Sequence, residues 1–149
     1  MSNRCIDTTG YTSEKELLEV ASKSEHFLYD IKVMDDEKHK LHTGVGNKQI
    51  LKNLQLLATT TVDINIRIPL IRGVNDDLEN IKQTAEFINT LEKPPIMVNI
   101  LPYHNIAQKK YEKLGRLEKF VKMEEPEQQI QQKIIKHFEF YGIKAIIGG

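Results

Sequence analysis

The segment Val62 to Ile68, VDINIRI, constrains the fold more than any other stretch of this chain. It alternates strictly: Val62, Ile64, Ile66 and Ile68 fall on one face of an extended strand, and Asp63, Asn65 and Arg67 fall on the other. The elements around it alternate between strand and helix, which implies parallel pairing. A buried parallel strand with helices over both faces is ordinarily apolar on both sides. One apolar and one polar face therefore call for a sheet with helices on one side only. On the other side the polar face can line something wet or filled by ligand, as in an incomplete parallel (β/α) barrel; a solvent-facing sheet is the rival reading, with crossover helices covering one side of it.

The remaining elements follow from spacing and punctuation. Arg4 to Asp7 is a short strand expected to carry Cys5 as a small buried residue. Ser13 with Glu16 has capping-box spacing ahead of Leu17, Leu18 and Ala21. His26 to Ile31 and Ile96 to Leu101 are predicted strands, and Asp35 to Leu41 is a short helical turn. Asn47 is placed to cap a helix through Ile50, Leu51, Leu54 and Leu57, and Asp76 or Asp77 to cap one from Leu78 to Leu91. Glu125 to Phe140 is an amphipathic helix stopped by Gly142, and Lys144 to Ile147 is a last strand. The 149 residues suit one domain, 1–149, but a complete (β/α) barrel takes about 250. No glycine fingerprint of a dinucleotide or P-loop site follows any strand.

Charge and hydropathy exclude some partners. The 21 basic and 21 acidic side chains balance, so no basic excess points to nucleic acid. Apolar runs stay well below the roughly 18 residues that cross a bilayer, and no signal-peptide core is present, so the expected compartment is the cytosol. The single cysteine can make neither an internal disulfide nor a cluster site alone. His39 and His42 lie on a short polar stretch that reads as solvated surface rather than a zinc pair.

The polar residues gather at the strand ends. The first strand ends in Asp7-Thr8-Thr9-Gly10, the second in Asp30-Ile31-Lys32, the third in Arg67-Ile68-Pro69 and the fourth in Pro102-Tyr103-His104. In parallel barrels the site is built at that rim from several strand tips. Asp7 and Asp30 suit a cation or an ammonium group, with Thr8 adding a neutral oxygen. Lys32 and Arg67 suit carboxylates or hydroxyls, and His104 a ribose or a purine edge. If the alternation holds, Asn65 and Asn99 face the same space. Other readings stand beside these. Asp7 and Thr8 are also turn formers ahead of Gly10, Asp30 and Lys32 could form a structural ion pair, and Arg67 could neutralise Asp63 or Asp7.

DTTGY (7–11), LYDIK (28–32), HTGVGN (42–47), IRIPLIRGVND (66–76) and LPYHNIAQKKYEKLG (101–115) occur in that order. Together they resemble the glycyl-radical-enzyme activating enzymes, a group within the radical S-adenosylmethionine class that includes the pyruvate formate-lyase activating enzyme. The resemblance implies a partial (β/α) barrel and a 4Fe–4S cluster on a C-x3-C-x-x-C loop. It also implies S-adenosylmethionine cleaved to a 5′-deoxyadenosyl radical, a glycyl radical enzyme as protein partner, and an electron donor such as flavodoxin or ferredoxin. By motif, Asp7, Thr8 and Asp30 resemble a monovalent-cation site, while Lys32, Arg67 and His104 resemble cofactor-side residues. No residue is assigned a catalytic role. The cysteine loop and the family's glycine-glycine-glutamate segment are absent, and both would precede residue 1. The chain is thus expected to match the C-terminal half of the family barrel and to be inactive alone. Arg72 stands where a proline is common, and Ala107 where a glycine is common. Two other functions remain open: a non-catalytic remnant that binds a glycyl radical enzyme, and a Schiff-base aldolase-like barrel using Lys32.

Overall fold

The computed structural model of the chain describes residues 5–102 and 128–148. In these residues five strands alternate with helices. In chain order they are β1 (Cys5–Thr8), α1 (Glu14–Ala21), β2 (His26–Asp30), α2 (Asp36–Thr43), α3 (Lys48–Leu57), β3 (Asp63–Leu70), α4 (Leu78–Asn89), β4 (Met97–Pro102), α5 (Gln128–Phe140) and β5 (Ala145–Ile147). The strands form one sheet in the order β1-β2-β3-β4-β5, and every neighbouring pair is parallel.

Strand alternation divides this sheet as the sequence of β3 requires. Phe27, Tyr29, Ile64, Ile66, Ile68, Leu70, Val98 and Ile100 are all buried on one side. They share a core with Leu17 and Ala21 of α1, Ile50, Leu54 and Leu57 of α3, Ile81, Ala85 and Ile88 of α4, and Ile134 and Phe138 of α5. Burying each such aliphatic or aromatic side chain contributes about 1.5–3 kcal/mol. On the opposite side, Asp7, Asn65, Arg67 and Asn99 lie on neighbouring strands and stand outside the core shared with the described helices. β3 runs through Pro69, which costs the ladder one N–H at its rim end.

The helix ends are closed by local chemistry. Ser13 accepts from the Glu16 N–H (3.2 Å), Asp35 from Lys38 (2.9 Å) and Asp77 from Asn80 (2.9 Å). Gly44 ends α2 in the left-handed region (φ 84°), donating to the Lys40 carbonyl. α5 ends in a Schellman arrangement: Gly142 donates to Glu139, Ile143 donates to Phe138, and the side chains of Phe138 and Ile143 both enter the core. Asn47 departs from the expected role. It precedes α3 but makes no side-chain cap, because its amide is committed to the carbonyls of Val33 and Met34. Cys5 also departs: on an outer strand its side chain is exposed, not buried. No helix among the described residues is long and apolar enough to cross a membrane.

Candidate functional site

The polar face of the sheet is organised around Arg67. Register places Asp30 directly beside it on β2 and Asn99 directly beside it on β4. The Arg67 Nε donates to Asp30 Oδ1 at 2.9 Å, and its Nη2 donates to Asp7 Oδ1 on β1. The Asp30 and Arg67 side chains are 19% and 24% exposed, against 62% for Asp7, so the inner pair carries most of the energy. Burial works against the guanidinium charge. The hydrogen bond and charge of Asp30, followed by those of Asp7, outweigh it and hold the Arg67 pKa above its ordinary value.

A second row crosses the same face nearer the other strand ends. His26 Nε2 lies 2.7 Å from Asn65 Oδ1, the Asn65 amide donates to Asn99 Oδ1 (3.3 Å), and the Asn99 amide donates to the Gly148 carbonyl (2.9 Å). Asn65 and Asn99 thus face the polar side as the alternation predicts, and they are bound to each other.

Lys32 stands just past β2 at the rim. Among the described residues no hydrogen bond or ion pair engages its ammonium; the carboxylate of Asp30, a possible partner on sequence grounds, pairs with Arg67 instead. Two clefts meet at Lys32. One, of about 200 Å³, is lined by Thr9, Tyr11, Asp30, His39 and Thr43 among others. The other, of about 280 Å³, is lined by His42, Thr43, Pro69, Ile71, Val74 and Asn75 among others.

Of the residues singled out from sequence, Asp7, Asp30 and Arg67 come into direct contact, and Lys32 joins Asp30 in one cleft. Thr8 is paired with Tyr29, which places its side chain on the helix-facing side. Its hydroxyl accepts from the Gly10 N–H at 2.9 Å, as a turn former does. His104 lies outside the described residues. His39 corrects the reading of a solvated surface: it is 4% exposed, and its Nδ1 sits 2.6 Å from the Val45 carbonyl. A carbonyl only accepts, so Nδ1 is the donor in this bond. His42 is exposed, as expected. Among the described residues no group of three or more His, Cys, Asp or Glu side chains is arranged to hold a metal ion.

No family model matches the sequence. The chain is 40% identical over 146 residues to the trans-4-hydroxy-L-proline dehydratase activating enzyme of Clostridioides difficile, spanning 97% of this chain and 48% of that one. It is 34% identical over 148 residues to the (2S)-3-sulfopropanediol dehydratase activating enzyme of Klebsiella oxytoca, spanning 97% and 47%. Among solved structures it superposes on a domain of pyruvate-formate lyase-activating enzyme from Bacteroides vulgatus with a TM-score of 0.83 and 38% identity. That match covers 99% of this chain and 81% of the other. This chain belongs to the glycyl-radical-enzyme activating enzymes.

A radical SAM methyltransferase from Sphaerobacter thermophilus shares the fold alone, at 14% identity and a TM-score of 0.70 over 97% of this chain and 39% of that one. The five parallel strands and their helices are accordingly the C-terminal portion of a radical SAM partial barrel. The chain spans about half the length of the curated activating enzymes it matches.

Three buried asparagines gather behind Lys32: sequence reasoning missed Asn75 and Asn80 and read Asn47 as a helix cap. The only available signal was their type: polar residues inside or beside otherwise apolar helical patterns, which a fold buries only when it satisfies them.

Proposed function

We propose that this chain supplies the cofactor-side strands of an activating enzyme that places a radical on a glycine of a partner glycyl radical enzyme. The observation that carries this reading is the rim itself. An Asp–Arg–Asp bridge and a lysine that no described residue engages lie side by side at the C-terminal end of a parallel sheet, on the face turned away from the described helices. The relatives named above each activate a different enzyme, so membership in the family supports a protein partner without choosing among them.

The donor set fits S-adenosylmethionine. Lys32 offers a positive charge, unpaired among the described residues, to a carboxylate or hydroxyls, Asp30 lines the same cleft, and the adjoining cleft offers apolar walls at Ile71 and Val74. When bound, S-adenosylmethionine supplies the radical used by this class of enzyme. The chain's own contribution is to bind and orient: Arg67 fixes both carboxylates, and Lys32 completes the charge balance at the rim. The 4Fe–4S cluster does not fit these residues, since the sequence holds one cysteine and its side chain sits exposed on an outer strand. A monovalent cation between Asp7 and Asp30 does not fit this arrangement either: the Arg67 guanidinium bridges both carboxylates, and the Thr8 hydroxyl is on the other face. An electron donor such as flavodoxin or ferredoxin belongs to the same reading, as does a single domain over 1–149.

Titration of the isotope-labelled chain with S-adenosylmethionine tests it. Amide shifts should concentrate at Asp30 to Lys32 and around Arg67. Shifts confined to α4 and α5, or none at all, would show the rim to be structural.

A further inference from the structure

The segment that carries Lys32 is held in an unusual way. Sheet pairing on this strand ends where the Ile31 N–H donates to the Arg67 carbonyl (3.0 Å). Beyond that point the backbone of Lys32, Val33 and Met34 is gripped by asparagine side chains. The Asn75 amide donates to the Lys32 carbonyl (2.9 Å) and to the Pro69 carbonyl (2.7 Å), while its oxygen accepts from the Ile71 N–H (2.7 Å). The Asn47 amide donates to the carbonyls of Val33 (3.0 Å) and Met34 (2.8 Å). Asn80 accepts from the Met34 N–H (2.9 Å) and donates to the Asn75 carbonyl (3.0 Å). All three side chains are buried, at 3%, 1% and 5% exposure for Asn47, Asn75 and Asn80.

A side-chain amide carries two N–H donors and a carbonyl acceptor, which matches the two carbonyls and the one N–H that Asn75 serves. An aspartate at Asn75 would turn an oxygen toward two carbonyls, and a leucine would leave those carbonyls and an N–H unpaired. The latch also spans two strands. Through Asn75, the chain leaving β2 is tied to the chain leaving β3, the strand that presents Arg67. Among the described residues no side-chain partner holds the Lys32 ammonium, and the grip on its carbonyl fixes the backbone from which the side chain projects.

We propose that Asn75, supported by Asn80 and Asn47, is a positioning residue that sets Lys32 against the Arg67 carboxylate bridge at the mouth of the rim clefts. This rests on the reading of the rim as a cofactor site and adds to it the residue through which the lysine is aimed. The latch acts by removing slack: a loosened loop would let the ammonium sample positions a bound carboxylate or hydroxyl cannot use.

The test is a double-mutant cycle on the 149-residue chain. Wild type, Lys32→Met, Asn75→Ala and the double variant are titrated with S-adenosylmethionine by amide shifts, with thermal melts alongside. Asn75→Ala is expected to raise Kd about tenfold in the native background and less than about twofold once Lys32 is methionine. An equal rise in both backgrounds would overturn the positioning role and leave the cofactor reading intact. An unchanged Kd in Lys32→Met would instead sink the cofactor reading, and the latch proposal with it. If Asn75→Ala does not fold, Asn80→Ser takes its place in the same cycle. It releases only the Met34 N–H and the Asn75 carbonyl, and the same two outcomes decide.

Discussion

Gly10 closes the turn after β1, and replacing it with alanine should be one of the most damaging small changes available to this protein. Its φ is +76°, in the left-handed region, where an added Cβ costs about 1–2 kcal/mol. The space is also occupied. A Cβ built on Gly10 would lie 1.7 Å from the Tyr29 hydroxyl oxygen and 2.2 Å from the ring carbon bearing it. Tyr29 cannot easily retreat, because it is fully buried and its hydroxyl donates to the Ile50 carbonyl at 2.5 Å. The turn is pinned from the other side, where the Asn53 amide donates to the carbonyls of Gly10 (2.7 Å) and Thr12 (2.8 Å). Overpacking of a filled site adds about 1–3 kcal/mol, for a total of about 2–5 kcal/mol. That is a large share of the roughly 5–15 kcal/mol that holds a typical domain folded. Urea midpoints of Gly10→Ala in the native and Tyr29→Leu backgrounds separate the two contributions. With the ring gone, only the backbone strain of about 1–2 kcal/mol should remain. A loss that is equal in both backgrounds, or below about 1 kcal/mol in the native one, would refute the packing argument.

Two further outcomes are expected. Burial pushes the Tyr29 phenol pKa above its ordinary value of 10.0, so the folded chain keeps a proton that the unfolded chain loses. That contribution is complete below pH 10 and is lost as pH rises beyond it. Urea midpoints of wild type should therefore fall between pH 9.5 and 11.5 more steeply than those of Tyr29→Phe, and parallel curves would contradict the assignment. Arg67→Met should cost about 1–2 kcal/mol through its half-buried bond to Asp30, whereas Asp7→Asn at the exposed end should cost less than about 0.5 kcal/mol. Equal losses in the two variants would show that burial does not rank these pairs.

The parts of the fold that obey a period were legible from sequence. The alternation of β3 set its two faces, and strand-end position brought Asp7, Asp30 and Arg67 together before any coordinates. What was not legible depends on partners distant in sequence. His39 sits among charged residues in α2, so nothing local marks it as buried; it is drawn in by the Val45 carbonyl beyond the Gly44 turn. Asn47 has the residue type and place of a helix cap, but two carbonyls near residue 33 compete for its amide and win. Cys5 has the composition of a core strand and the position of an outer one, and its exposure follows from position. The alternative pairing of Asp30 with Lys32 failed for a geometric reason. Arg67 lies directly across the ladder from Asp30, while Lys32 has already left the sheet.

The strict alternation of β3 has a consequence for how this protein can change over generations. Odd positions from Asp63 to Arg67 can be exchanged without touching the packed layer, because every even position keeps its place among the helices. A single inserted or deleted residue in the same strand has no such freedom, since it would turn Arg67 inward and Ile66 outward at one stroke. Chemical novelty at this site is therefore open to point substitution and closed to changes in strand length.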